Sequence, residues 1–411
     1  MTEAPASIKV VIADDDADRV ARWGERIRDV FASRGVSGTA MELKPSDFGL
    51  ARRALIQRAV DARAGQAPQL EDAAAEIDSA DIFIVDSDLT PTPGSASGDQ
   101  REQEIVTRYL AGEIGSDVVR LARGHSRVRA CVVVNEEWRN RTFDLTMRKW
   151  TTGFADLYIT HDDIASSGLW FGELEGGYRP SHWPRLGHVP AQVGAVLGQA
   201  LNLDTPVTEL IGMSPKSLNQ LSLRQIEALN PRLPSLSEMT LADVENSPNF
   251  GIGIQPKESP ASEQIALTTA VYGLRRWLDR VALPVQNVLI DLPHLLANRP
   301  WLQNERANPV ALNAATGVWF GEEVPIEQQA FNADASRLLG RNVWNVDQLS
   351  KPGPGDRVTP DDLVFCEDTS SFERLEDAKG FRTDLEGNYA TRYVRKIDDV
   401  EYSPRHRLFE R

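Results

Sequence analysis

The feature that most constrains this chain is an alternation in its first half. Short apolar runs rich in β-branched residues are followed, again and again, by stretches whose apolar residues recur at helical spacing. Residues 8–13 are almost wholly apolar, the pattern of a strand buried on both faces. Val20, Trp23, Ile27, Val30 and Phe31 then fall on one helical face, with Gly35 as the stop. A second short strand is expected over residues 39–43, and Asp47 is expected to cap a helix carrying Leu50, Leu55, Ile56 and Val60. Residues 81–85 read as a third strand, 128–134 as a fourth and 156–160 as a fifth. Between them lie a Pro/Gly/Ser loop over 90–98, helical sequence ending in Val118, Val119 and Leu121, and a weaker helical pattern over 138–150. An aromatic, Gly-rich excursion at 168–190 precedes a last helix near 189–201. Strands alternating with helices imply right-handed crossovers, hence an α/β fold with a doubly wound, five-stranded, mainly parallel sheet.

Such a sheet places its functional crevice beyond the carboxyl ends of the strands, at the switch point between the first and third. Strand one ends in Asp14, Asp15 and Asp16, and strand three ends in Asp86, Ser87 and Asp88. The topology therefore predicts that carboxylates some seventy positions apart converge. Crowded carboxylates repel one another and call for a cation. A hard, oxygen-only donor set suits Mg²⁺, which takes one or two carboxylates plus phosphate oxygens. Asp14 and Asp15 are expected to hold the metal, Asp16 to open the first helix, and Asp86 to act as nucleophile toward phosphorus.

Over residues 8–201 the chain resembles the receiver domain of two-component response regulators. The resemblance rests on Val10-Val11-Ile12-Ala13-Asp14-Asp15-Asp16, on Ile84-Val85-Asp86-Ser87-Asp88-Leu89-Thr90-Pro91 and on Ala155-Asp156-Leu157-Tyr158-Ile159-Thr160. It implies a flavodoxin-like strand order 2-1-3-4-5, Asp86 as the phosphoryl acceptor, Asp14 and Asp15 as the acidic pair, and the backbone carbonyl of Asp88 as a further Mg²⁺ ligand. It also implies a histidine kinase or phosphotransfer protein as partner. Two positions depart from the family pattern. Receivers carry Ser or Thr at the end of the fourth strand, where this chain has Asn135, and Lys at the end of the fifth, where it has His161. Asn donates hydrogen bonds and a protonated His carries charge, so both are retained as candidate catalytic residues. Extra sequence at 61–77, 90–111 and 168–190 lengthens the unit. These departures favour an alternative, a pseudo-receiver that acts as an assembly or adaptor surface without taking phosphate.

A length of 411 residues fits two or three compact units. We divide the chain into a receiver-like domain at 1–204, a connector of short helices at 205–261 and a mixed α+β output domain at 262–411. Helix-start residues recur at Thr205, Ser214, Ser222 and Ser237, and Ser262 is expected to cap a longer helix through Val281. Strands are expected at 287–292, 363–365 and 393–397. With Asp and Glu at 60 against Lys and Arg at 45, the net charge of −15 disfavours nucleic acid as partner. Only Cys131 and Cys366 are present, too few for a disulfide framework, and both are expected to be buried thiols. No apolar run is long enough to span a bilayer, and the first seven residues do not read as a secretory signal, so a cytoplasmic protein is expected. The output half offers only Asp291, His294 and the acidic turn Glu367-Asp368 as hints of an enzyme, with a capped turn favoured for the first pair. Other protein partners, a second copy of the chain among them, complete the expectations.

Overall fold

The computed structural model describes residues 7–66, 69–89, 100–110, 113–134, 142–145, 154–159, 161–171, 186–213, 215–233, 235–249, 260–285, 288–291, 294, 338–339, 343–345, 363–366, 368, 371–382, 391–398 and 400–408. The chain opens with β1 (Ile8–Ala13), α1 (Ala17–Ser33), β2 (Gly38–Glu42), α2 (Pro45–Arg63), α3 (Ala75–Ser79) and β3 (Ile82–Asp86). There follow β4 (Asp88–Leu89), α4 (Gln100–Tyr109), β5 (Glu113–Ile114), α5 (Gly115–His125) and β6 (Ala130–Val134). The first half closes with β7 (Thr142–Asp144), β8 (Leu157–Ile159), α6 (Ser167–Phe171) and α7 (Val189–Leu197).

The central sheet has five parallel strands in the order β2-β1-β3-β6-β8. Counting only its own strands, that is the order 2-1-3-4-5. Alternate residues of each strand enter opposite layers, as a sheet covered on both faces requires. Val10, Ile12, Ile82, Ile84, Val132 and Val134 face α1, α6 and α7. Val11, Ala13, Phe83, Val85, Cys131 and Val133 face α2, α4 and α5. Val20, Trp23, Ile27, Val30 and Phe31 of α1 are all buried, as their spacing predicts, and Gly35 ends the helix with a positive φ of 63°. Each such buried side chain contributes roughly 1.5–3 kcal/mol.

Two local expectations are corrected. Lys44, not Asp47, is the N-cap of α2, and Pro45 opens its first turn, where a missing N–H costs nothing. The same helix buries Phe48, Ala51, Leu55 and Arg58, while Ile56 and Val60 point to solvent. Arg58 decides this face: it binds Asp72 and Asp78 and donates to the carbonyl of His125, so the chain buries a satisfied ion network there. The helical pattern over 138–150 also fails where described. Residues 142–144 form β7, which pairs in parallel with a strand near the C-terminus, while 138–141 and 146–150 lie outside the described residues. A remote partner strand outweighs local helical spacing. The excursion over 90–111 is pinned at its base by an antiparallel ladder, Asp88 opposite Ile114 and Leu89 opposite Glu113.

The second half begins with short helices: α8 (Val207–Ile211), α9 (Pro215–Leu218), α10 (Leu223–Leu229) and α11 (Leu241–Glu245). Ser222 and Thr240 close capping boxes with Gln225 and Asp243, whereas Ser237 lies inside a 3₁₀ turn. Next come α12 (Pro260–Trp277), a π-helical stretch (Leu278–Ala282) and α13 (Leu283–Val285), so Ser262 sits within the first turn of a helix that starts at Pro260. Val271, Leu274, Trp277 and Leu278 are buried among Val207, Ile211, Leu229, Leu241 and Val244, one apolar core shared by the short helices and α12. Then follow β9 (Leu289–Asp291), β10 (Val343–Asn345), β11 (Leu363–Cys366), β12 (Ser371–Arg374), β13 (Lys379–Arg382), β14 (Thr391–Val394) and β15 (Glu401–Ser403). Four of these form a sheet in the order β12-β11-β14-β13, and β15 is the strand that pairs with β7. Leu145, next to β7, packs with Phe381, Val394 and Tyr402.

Helix α12 is fixed to the α/β unit by buried polar contacts at the amino end of β8. Arg123, at the end of α5, pairs with Asp156 and donates to the carbonyls of Arg129 and Phe154. Its guanidinium stacks over Tyr272, 4.0 Å from the ring centre. Thr269 donates to the carbonyl of Arg123, Tyr272 to that of Ala155 and Arg280 to that of Asp156. No helix of the described residues is long and apolar enough to cross a membrane.

Candidate functional site

The carboxyl ends of β1 and β3 are adjacent because those strands pair in register, Ala13 beside Val85. Asp14 follows Ala13 and Asp86 follows Val85, so pairing alone brings the two acidic ends side by side. Oxygens of Asp14, Asp15 and Asp86 lie within 4.8 Å of one another, and all three residues are buried. Asp16 stands apart: its side chain accepts from the N–H groups of Asp18 and Arg19 and caps α1, as expected.

Burying three carboxylates together is costly, most of all for Asp14. Its carboxyl is pushed up to about 10, first by burial, then by the hydrogen bond with Asp15 and the charge of Asp86, with Arg19 pulling the other way. Arg19 reaches into the cluster from the first turn of α1. Its Nη1 donates to Asp86 Oδ2 at 2.7 Å, and its Nε lies 3.0 Å from Asp14 Oδ2. One oxygen of Asp15, Oδ1, is buried without a hydrogen-bond partner. An orphaned buried carboxylate oxygen beside two others fits a hard divalent cation, for which the oxygen-only donor set is suited.

The backbone around Asp86 is equally constrained. The Ser87 N–H donates to the carbonyl of Val134, and the Gly115 N–H to that of Ser87. A Cβ built on Gly115 would stand 1.9 Å from the carbonyl oxygen of Asp86, so only glycine lets the start of α5 approach the strand end this closely.

The other expected residues are distributed differently. Asp88 is exposed in β4, opposite Ile114. Asn135 lies outside the described residues, one position beyond Val134. His161 is half-exposed beside Asp162, its Nε2 at 3.0 Å from that carboxylate, and its carbonyl accepts from Arg26. The hints of chemistry in the second half have structural roles where described. His294 contacts both oxygens of Asp291 through Nδ1 and the carbonyl of Asp279 through Nε2, while its own N–H donates to Asp291, which makes a capped turn. Asp368 accepts from the N–H groups of Arg395 and Lys396 and from the hydroxyl of Tyr402. Glu367 lies outside the described residues. Cys131 and Cys366 are both buried free thiols, and burial pushes Cys131 up to about 12.

Two residues of the site carry no motif. Arg19 does leave a faint signal in the sequence: a cation in the first turn of a helix opposes the helix dipole and needs local carboxylates to be stable there. Gly115 leaves none, because its partner is the backbone of a residue 29 positions earlier. The fold and site together define an α/β unit with a buried acidic triad at the carboxyl ends of parallel strands. No protein family, no curated protein and no solved structure matches the chain.

Proposed function

We propose that the first half of the chain is a receiver-like regulatory unit whose acidic triad binds a divalent cation, Mg²⁺ by its donor chemistry, and whose Asp86 accepts a phosphoryl group. The observation that carries this reading is the convergence of Asp14, Asp15 and Asp86 within 4.8 Å, buried, with one Asp15 oxygen unpartnered. Asp14 and Asp15 would hold the ion together with Asp86, and a bound ion would neutralise charge on the transferred phosphoryl oxygens. Asp86 sits at the end of a fully buried strand, its backbone locked by Val134 and Gly115, so its carboxylate is held in one place. In the transfer, an Asp86 oxygen attacks phosphorus, the bond from phosphorus to the donor breaks, and the donor group leaves with the electron pair. The product is an acyl phosphate on Asp86. The donor would be a histidine kinase, a phosphotransfer protein or a small acyl phosphate, and the readout would pass to the second half of the chain.

Two observations favour a second reading, the pseudo-receiver adaptor. Arg19 already supplies Asp86 and Asp14 with a cation, and His161 faces Asp162. Treatment with acetyl phosphate or beryllofluoride in the presence of Mg²⁺ separates the two. The receiver reading expects a phosphoryl mass increment, or a beryllofluoride adduct seen by fluorine NMR, that Asp86→Asn abolishes. A protein that binds Mg²⁺ yet gains neither leaves the adaptor reading.

A further inference from the structure

We propose that Arg19 is a built-in cation that competes with a divalent metal ion for the Asp14–Asp15–Asp86 site, and so sets the metal concentration at which the site fills. This inference rests on the metal-binding reading of the triad given above. Three observations lead to it. First, the guanidinium spans the acidic ends of both strands, with Nη1 2.7 Å from Asp86, Nε 3.0 Å from Asp14 and a third nitrogen 3.9 Å from Asp16. A cation held by all three carboxylates would compete with Arg19 for the negative charge of Asp14 and Asp86. Second, Arg19 is the third residue of α1, in the turn where the helix dipole disfavours positive charge. Only the surrounding carboxylates make that location favourable, so the site and the arginine neutralise each other. Third, the triad is not saturated by it. Asp15 is 5 % exposed and its Oδ1 has no hydrogen-bond partner, which Arg19 does not reach.

The arginine is a poorer occupant than a metal ion for phosphoryl chemistry. It holds Asp86 in an ion pair, which lowers the nucleophilicity of that carboxylate. It carries one positive charge, against two on the metal, amid three carboxylates. Its side chain remains 18 % exposed, so it has a route out to solvent without disturbing the core. Metal entry and arginine exit are then one exchange.

The test is a Mn²⁺ and Mg²⁺ titration by calorimetry of the full chain, with Arg19→Ala, Arg19→Gln and Asp15→Asn beside the wild type and circular dichroism to verify folding. Loss of a charge-assisted competitor should tighten binding at least about tenfold in both Arg19 variants. Damage to the fold alone would weaken binding, so tightening separates competition from structural support. Equal or weaker binding in both Arg19 variants, with binding lost in Asp15→Asn, overturns the role of Arg19 and leaves the metal site standing. Binding absent from the wild type and from both Arg19 variants removes the metal reading itself, and the competition with it. Should Arg19→Ala misfold, Arg19→Gln, which keeps the three-carbon stem and an N–H donor while removing the charge, separates the same outcomes.

Discussion

The two ends of the central sheet both bury charge, and they do so in opposite ways. At the amino end of β8, Arg123 is matched by Asp156, by carbonyl oxygens and by the face of Tyr272, and the cluster ties α12 to the α/β unit. At the carboxyl ends of β1 and β3, three carboxylates meet one arginine; Asp15 Oδ1 has no hydrogen-bond partner and Asp14 Oδ2 has only its ion pair with Arg19. Buried charge that is fully satisfied holds a structure together, whereas buried charge left in excess is tolerated at a site with something to bind. The contrast gives Arg123 a structural role and, under the receiver reading, leaves the triad as the place for a cation.

The largest effect that would break this contrast lies at the amino end. Arg123→Met should cost about 4 kcal/mol, because it leaves Asp156 buried without its cation. Urea unfolding followed by tryptophan fluorescence measures it, and a loss under about 1 kcal/mol would deny the cluster its structural role. Next is Gly115→Ala at the carboxyl end, where the added carbon must push the backbone of Asp86. A cost of about 2 kcal/mol is expected, and under the receiver reading weaker Mg²⁺ binding as well, since overpacking against backbone cannot be relieved by a rotamer change. The smallest effect has the opposite sign. In metal-free protein the Asp14 carboxyl titrates at about 10, against the ordinary value of 3.8 that it takes in the unfolded chain. Between those values the folded chain keeps a proton that the unfolded chain has lost, so stability falls as pH rises. Asp14→Asn removes that dependence. It should stabilise the metal-free protein by at least about 1 kcal/mol at pH 8, with the gain vanishing toward pH 4. Thermal melts across that range check it, and a variant less stable than wild type at pH 8 would show that the carboxylates there are not in excess.

Legibility follows the same division. β1, β3 and β6 are readable because their residues are apolar on both faces, and α1 because its buried face has a clean helical period. The convergence of Asp14 and Asp86 follows from strand pairing once the parallel sheet is granted. The face of α2 misleads because Arg58, a residue normally exposed, is buried with two aspartates while Ile56 and Val60 are not. Thr142–Asp144 misleads because its pairing partner lies some 260 residues away, at Glu401–Ser403.

The sequence by itself determined the alternation of strand and helix and the acidic strand ends, since hydrophobic period is a local property, and their adjacency follows once β1 and β3 pair across some seventy residues. Only the tertiary structure decided that Arg19 turns into the triad, that Gly115 lies against Asp86, that Arg123 joins α12 to the sheet and that the C-terminal strand reaches β7. Apart from Arg19, which lies close to Asp14 and Asp16 in the chain, each of these is a contact between groups whose distance in the sequence carries no signal. Burial fixes them, because a charge or a carbonyl removed from water must find its partner wherever the fold brings one.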